Sequence, residues 1–387
     1  MNLSELLSTE RPIGSRNNRA LNSLLYEEMA QLSFKVEAIP MKCKVWEFGP
    51  SSLERGRVSF DIFPGPFSPG FEGVIPQLVP LASVDDLKAV DIKEKMALLY
   101  GEISKEPLMP KDFPFYFPEE HKVIYNLLEK QQPSFILAAT GQHPACGLDP
   151  FPLFEDGNFY IPNAFMDEKS ALALLSLKGP VNLLLNSGVR NASSQQLIAK
   201  KEGQGKKKVV IGAHMDTKYG TPGAIDNGAG VKALIVIMRL LSDYQGKFSL
   251  EFVPFNGEEY YGASGELAYL DQQEVSYDQI ALMVNLDGLG HKNAKVAVSY
   301  YNIDDEKPFE EVLSAFPGVT KGPAWYAGDH SMFAFQGVPC IALTSSNLWD
   351  DVLSLTHTPL DTPENLDMSI IMEAAEFVAS IVRSLRH

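Results

Sequence analysis

From about residue 195 onward the chain alternates short apolar runs with amphipathic stretches, and this alternation constrains the fold more than any other feature. KKVVIGAH, SLEFVPFN, QIALMVNLD, KVAVSYY and VPCIALTS have the length and composition of strands. GVKALIVIMRLLSDY, ASGELAYLDQ, EKPFEEVLSAF and the closing SIIMEAAEFVASIVRSL read as helices. Strands and helices taken in turn predict an α/β class, with a mixed, largely parallel central sheet and helices on both faces. Near the start, Asn17-Asn18 precede the amphipathic run RALNSLLYEEMAQL, which predicts a helix. FKVEAIPMKCKV then reads as a strand interrupted by Pro40.

Between about 47 and 190 the texture differs. Gly and Pro are frequent (FPGPFSPGFEG), and short apolar runs such as KMALLYGE, SFILAATG and VNLLLNSG alternate with turn signals. This predicts a β-rich domain, residues 47–190, inserted into a discontinuous α/β domain of residues 1–46 and 191–387. The whole chain has 387 residues, 45% of them hydrophobic and 21% charged, enough for a sizeable core and too apolar for disorder. A net charge of −16 disfavours nucleic acid and anionic membrane as partners. Cys43, Cys146 and Cys340 are odd in number and far apart, which argues against a disulfide framework or a cysteine metal site. The opening residues lack a basic stretch followed by an apolar one, and no apolar run reaches membrane-spanning length. The expectation is a soluble, cytoplasmic protein, or a secreted one if a leader has been trimmed from the N-terminus.

Ligands of open α/β sheets gather at the C-terminal ends of strands, and the acidic and histidine residues of this chain fall mostly there. His214-Met215-Asp216 ends KKVVIGAH, Glu258-Glu259 follow SLEFVPFN, and Asp287 ends QIALMVNLD. Asp226 precedes a helix, and His357 lies in the loop before the last one. Singly, each has an ordinary explanation. A His after a strand is commonly a hydrogen-bonded loop residue, Asp before a helix is an N-cap, and Glu-Glu is usually solvated surface. Asp361 in HTPLDTPEN fits a cap or a turn. Their convergence on strand ends is what points to a metal centre. Zinc accepts imidazole nitrogen and carboxylate oxygen and keeps a position open for water. In an H-x-D pair the Asp can take the second ring N–H of the His. A carboxylate can bridge two metals about 3.5–4 Å apart. In Glu-Glu, one residue can bind metal while its neighbour handles a proton. HExxH is absent, so a thermolysin-type site is excluded.

These segments resemble the M28 family of zinc peptidases, which includes bacterial leucyl aminopeptidases and glutamate carboxypeptidase II. The matching motifs are AHMDT, GAIDNGAG, NGEEYYG, NLDGLG, GDHSMFAFQGVP and THTPLDTPENLD, within about 195–387, together with the opening RPIGSRNNRAL. Residues 47–190 are similar to the protease-associated domain that some members carry, with VDIKEKMALLYGE resembling its signature strand. The resemblance implies two Zn²⁺ ions, with Asp226 bridging, His214 and Asp287 completing one site, and Glu259 and His357 completing the other. It implies Glu258 as general base and acid, Asp216 as the partner of His214, a cis Asp226–Asn227 peptide, and peptides as substrates. Where the family often has Ser-Asp-His, this chain has Gly328-Asp329-His330. A family Tyr that helps bind the reacting carbonyl oxygen falls at Trp325, with Tyr326 adjacent, so that role is open to Trp325, Tyr326 or His330.

Other functions are weighed by the same residues. M20-type hydrolases place a lid domain between the later ligands, but here Asp287 and His357 are only 70 positions apart. A glutaminyl cyclase on this fold uses one zinc and normally lacks the His of H-x-D as a working ligand. Non-catalytic relatives such as the transferrin receptor lose ligands, and this chain keeps the full set. A carboxypeptidase needs Arg for the substrate carboxylate, and between His214 and His357 there is only Arg239. The balance favours an aminopeptidase. Met332, Phe333 and Phe335 fit either an apolar pocket or the core. The sequence leaves the oligomeric state open.

Overall fold

The apolar runs after residue 195 join one eight-stranded sheet, completed by strands from earlier in the chain, in the computed structural model, which describes residues 2–111, 113–272 and 276–385. The chain divides into two compact units, one of Met1–Cys43 with Ser193–His387 and one of Lys44–Ala192. The sheet strands, in chain order, are β1 (Lys35–Phe48), β2 (Ser187–Lys201), β3 (Lys208–His214), β4 (Ser249–Phe255), β5 (Ile280–Leu286), β6 (Val296–Tyr301), β7 (Val319–Lys321) and β8 (Cys340–Ser345). Their spatial order is β1-β2-β4-β3-β5-β8-β6-β7. The four central strands β4, β3, β5 and β8 run parallel, while β2 and β6 join their neighbours β4 and β8 antiparallel. A mixed, largely parallel sheet is therefore what the alternation produces.

Side chains alternate across a strand, so each strand feeds both faces. Val209, Ile211, Leu250, Phe252, Leu282 and Val284 join a core shared with Leu21 and Leu25, Leu234 and Met238, and Phe377 and Val378. Those partners sit on the helices Arg16–Gln31, Ala229–Leu240 and Met368–Ser384. On the other face Phe255 meets Tyr269 at 5.7 Å and Phe333 at 6.4 Å between ring centroids. Both rings come from the helices Ser264–Gln272 and Ser331–Ala334. Phe333 and Met332 are thus core, whereas Phe335 is 64% exposed.

Two local expectations shift. The first long helix begins at Arg16 and is capped by Ser15, whose side chain accepts from the Asn18 N–H, rather than opening after Asn17-Asn18. Pro40 does not break its strand: β1 is an edge of the sheet, the place where a strand tolerates proline. The Lys44–Ala192 unit holds a four-stranded antiparallel sheet and a five-stranded, mostly parallel one. KMALLYGE and SFILAATG supply the buried neighbouring strands Met96–Leu99 and Phe135–Thr140 of the second sheet. Among the described residues, no helix is long and apolar enough to cross a membrane.

Candidate metal centre

The parallel register brings the strand ends level. His214, the last residue of β3, pairs with Phe255 at the end of β4, and β5 ends at Leu286 on the other side of β3. Asn256–Glu259 and Asp287 therefore emerge beside His214. Asp226 lies in the turn Ala224–Gly228, which leads into the helix Ala229–Leu240. His357 approaches from the loop after β8 with a φ of 61°, a left-handed conformation uncommon outside glycine.

Two ligand groups result, one of His214, Asp226 and Asp287 and one of Asp226, Glu259 and His357. In the first, His214 Nε2 lies 3.0 Å from Asp226 Oδ1 and 3.5 Å from Asp287 Oδ1. In the second, His357 Nε2 lies 3.1 Å from Asp226 Oδ2 and 3.0 Å from Glu259 Oε1. Each oxygen of Asp226 thus faces a different imidazole. One nitrogen and two carboxylate oxygens per group, with Asp226 shared, match the donor preference of zinc. The charges point the same way. Burial pulls the His214 imidazole down, but Asp287 and Asp226 outweigh it and hold its pKa well above the usual value. Burial opposes ionisation of Asp226 and is overcome by His214 and His357, which hold its carboxyl far below the ordinary range. The cluster is built for a cation.

Glu258 belongs to neither group. Desolvation pushes its carboxyl well above the ordinary range, His214 offsets this in part, and Glu259, Asp287 and Asp226 push the same way as desolvation. Asp216 is buried, but its Oδ1 stands 3.8 Å from His214 Nδ1, too far for a hydrogen bond. Both its oxygens are drawn instead onto the Glu-Glu turn. Oδ1 accepts from the N–H of Gly257 at 2.9 Å and of Glu258 at 3.2 Å, and Oδ2 from Glu259 at 3.2 Å. Asp216 therefore organises the backbone that presents Glu258 and Glu259, a role that H-x-D spacing does not disclose. The Asp226–Asn227 peptide is cis, and Asn227 donates to Leu286 O at 2.7 Å.

None of Trp325, Tyr326 and His330 belongs to either ligand group. His330 is fully buried, with Nε2 2.9 Å from Trp325 O and Nδ1 3.2 Å from Asn285 Nδ2. A carbonyl only accepts, so Nε2 carries the proton and Nδ1 accepts from the amide, which leaves neither nitrogen for a substrate. The Trp325 indole is buried too, and its Nε1 has no hydrogen-bond partner among the described residues. Tyr326 is 56% exposed and stacks on Phe335 with ring centroids 5.7 Å apart.

Two residues of the site region carry no metal-binding signature. Asp361, buried, accepts from the Ile225 N–H at 2.6 Å and the Asp226 N–H at 3.1 Å. Arg11, also buried, reaches the loop that precedes this turn. Asp361 reads in sequence as a local cap or turn, and what it caps lies 135 positions away. Arg11 belongs to the quoted RPIGSR motif, the one sequence signal that marks it.

An α/β sheet whose strand ends deliver two imidazoles to one shared carboxylate, with further carboxylates beside them, is the architecture of a metallohydrolase site. Residues 196–382 match the model for Peptidase family M28. Aminopeptidase YwaD of Bacillus subtilis (strain 168) is 25% identical over 212 residues, covering 50% of this chain and 45% of its own, so the match spans less than half of that relative. In fold, the aminopeptidase from Aneurinibacillus sp. strain AM-1 superposes with a TM-score of 0.75 at 20% identity, covering 98% of this chain and 91% of its own. BSAP, a zinc aminopeptidase from Bacillus subtilis, gives 0.72 at 20% identity over 98% and 91%.

Proposed function

We propose that the chain is a metal-dependent aminopeptidase that removes N-terminal residues from peptides, using two Zn²⁺ ions at the groups that share Asp226. The observation that carries this reading is the splitting of the Asp226 carboxylate between His214 and His357, at 3.0 and 3.1 Å. Zinc bound there supplies a Lewis acid for the scissile carbonyl and acidifies the attacking water. Glu258, outside both ligand groups, takes the proton of that water and passes it to the leaving amine. Its raised pKa suits a group that must hold a proton before delivering it. Asp216 keeps Glu258 and Glu259 in register through the three turn amides. Of the three candidates for contact with the substrate carbonyl oxygen, we assign Tyr326, the exposed one.

The arginines favour the amino end. Arg239 is on the surface and paired with Glu28, and the Arg11 guanidinium is buried and spent on backbone carbonyls. Neither is available to a substrate carboxylate. The name of the relative YwaD, an aminopeptidase, supports the same direction. We also read Lys44–Ala192 as the inserted module that VDIKEKMALLYGE resembles, since this motif forms a buried inner strand there.

Hydrolysis of aminoacyl-anilides tests the activity. Chelation abolishes it and added zinc restores it. Glu258→Gln lowers kcat by about 10²–10⁴-fold, the range of a lost general base, with zinc still bound. Wild-type rates in chelated protein or in Glu258→Gln would overturn the mechanism.

A further inference from the structure

The turn that carries Asp226 is gripped at both ends by buried charged residues from distant parts of the chain. The Arg11 guanidinium donates from Nη1 to Pro222 O at 2.9 Å and from Nη2 to Gly223 O at 2.8 Å. Its Nε donates to Met215 O at 2.8 Å, and Nη1 also reaches Thr9 O at 3.2 Å. Arg11's own N–H donates to Thr217 Oγ1 at 2.9 Å. One planar fork thus ties the residues just after His214 to those just before Asp226. From the other side, Asp361 takes the N–H groups of Ile225 and Asp226 on its carboxylate and that of Ala224 on its carbonyl at 3.3 Å. It stands four positions after His357. The two grips leave no slack between them. Gly223 has a φ of +64°, and a Cβ there would sit 2.3 Å from Thr217 Cγ2 and 2.7 Å from Asp226 O.

We propose that Arg11 and Asp361 are positioning residues, a clamp that sets the three segments bearing His214, Asp226 and His357 so that one carboxylate serves two metal ions. The inference rests on the two-zinc reading above and assigns neither residue to the metal or the substrate. Charge and geometry make opposite demands on Arg11, which makes the idea sharp. As a nearby positive charge, Arg11 opposes a dication, so its removal by electrostatics alone tightens zinc binding. As the fork that spans four carbonyls, its removal loosens zinc binding. Lysine keeps the charge and loses the fork.

The test is the affinity of the metal-free full chain for Zn²⁺, measured by competition with a chromophoric chelator, in wild type, Arg11→Lys, Arg11→Met and Asp361→Asn. The clamp predicts a loss of about 10–100-fold in each variant, the scale of removing groups that orient metal ligands, and Arg11→Lys does not rescue it. Val319→Ala, on the far edge strand β7, destabilises the fold without touching the clamp and keeps wild-type zinc affinity. If Arg11→Met does not fold, the near-isosteric Asp361→Asn and the charge-preserving Arg11→Lys carry the result. Unchanged or tighter zinc binding in Arg11→Lys and Asp361→Asn, with wild type binding two equivalents, overturns the clamp and leaves the proposed activity intact. A wild type that binds no zinc overturns the proposed activity itself.

Discussion

His330 shows how a residue beside a metal centre can act through the fold. Burial depresses its pKa from 6.5 to about 4, and its hydrogen bonds to Trp325 O and Asn285 require the neutral ring. The unfolded chain therefore binds a proton that the folded one refuses between these values. A depressed folded pKa means stability that is present above about 6.5 and lost as pH falls toward 4, amounting to about 3 kcal/mol at pH 4. Urea unfolding of the metal-free protein at pH 7 and pH 4 is expected to show this loss in wild type, and a smaller one in His330→Gln. The same scale marks the limit of sequence reading. His214, Asp226, Glu259, Asp287 and His357 are legible because each follows or precedes a recognisable element, and the structure brings them together. Asp216 and Asp361 are legible as acids but not as holders of the turn at Gly257–Glu259 and of the Asp226 turn. Their hydrogen bonds go to backbone amides, which every residue possesses, so no side-chain pattern announces them.

At the scale of elements, the strand ends are only as well placed as the strands are packed. Gly212, in the middle of β3, lies under Phe255 at the end of β4, and a Cβ there would come within 2.5 Å of the Phe255 ring. Gly212→Ala is expected to cost about 1–3 kcal/mol through overpacking, read as a lower thermal midpoint. Phe255 leads directly into Asn256–Glu259, so the same variant is expected to lower kcat. Element types were readable here from periodicity alone, as GVKALIVIMRLLSDY and the helix Ala229–Leu240 show. The order of strands was not. That β3 lies between β4 and β5 is decided by crossover packing over long separations, and it is this order that puts Glu259 and Asp287 on opposite sides of His214.

For the whole molecule, the centre is an electrostatic liability until it is filled. A chain of net charge −16 gathers His214, Asp226, Glu258, Glu259 and Asp287 at one end of its sheet. Anything that binds only the folded state stabilises it by mass action, about 2.7 kcal/mol at a hundredfold excess over Kd. Zinc titrated into metal-free protein is therefore expected to raise the thermal midpoint, and Asp226→Asn to abolish most of the rise, as measured by scanning calorimetry. The clamp also has a consequence in time. Arg11 is made 350 residues before Asp361, and the whole Lys44–Ala192 unit is made in between. At about 5–20 residues per second the ribosome leaves Arg11 waiting roughly 20–70 s for its counterpart. The Lys44–Ala192 unit, continuous in the chain, can be finished first, while the α/β unit can close its metal centre only once the segment of His357 and Asp361 emerges. Synthesis itself thus keeps the centre from assembling before His357 and Asp361 are made.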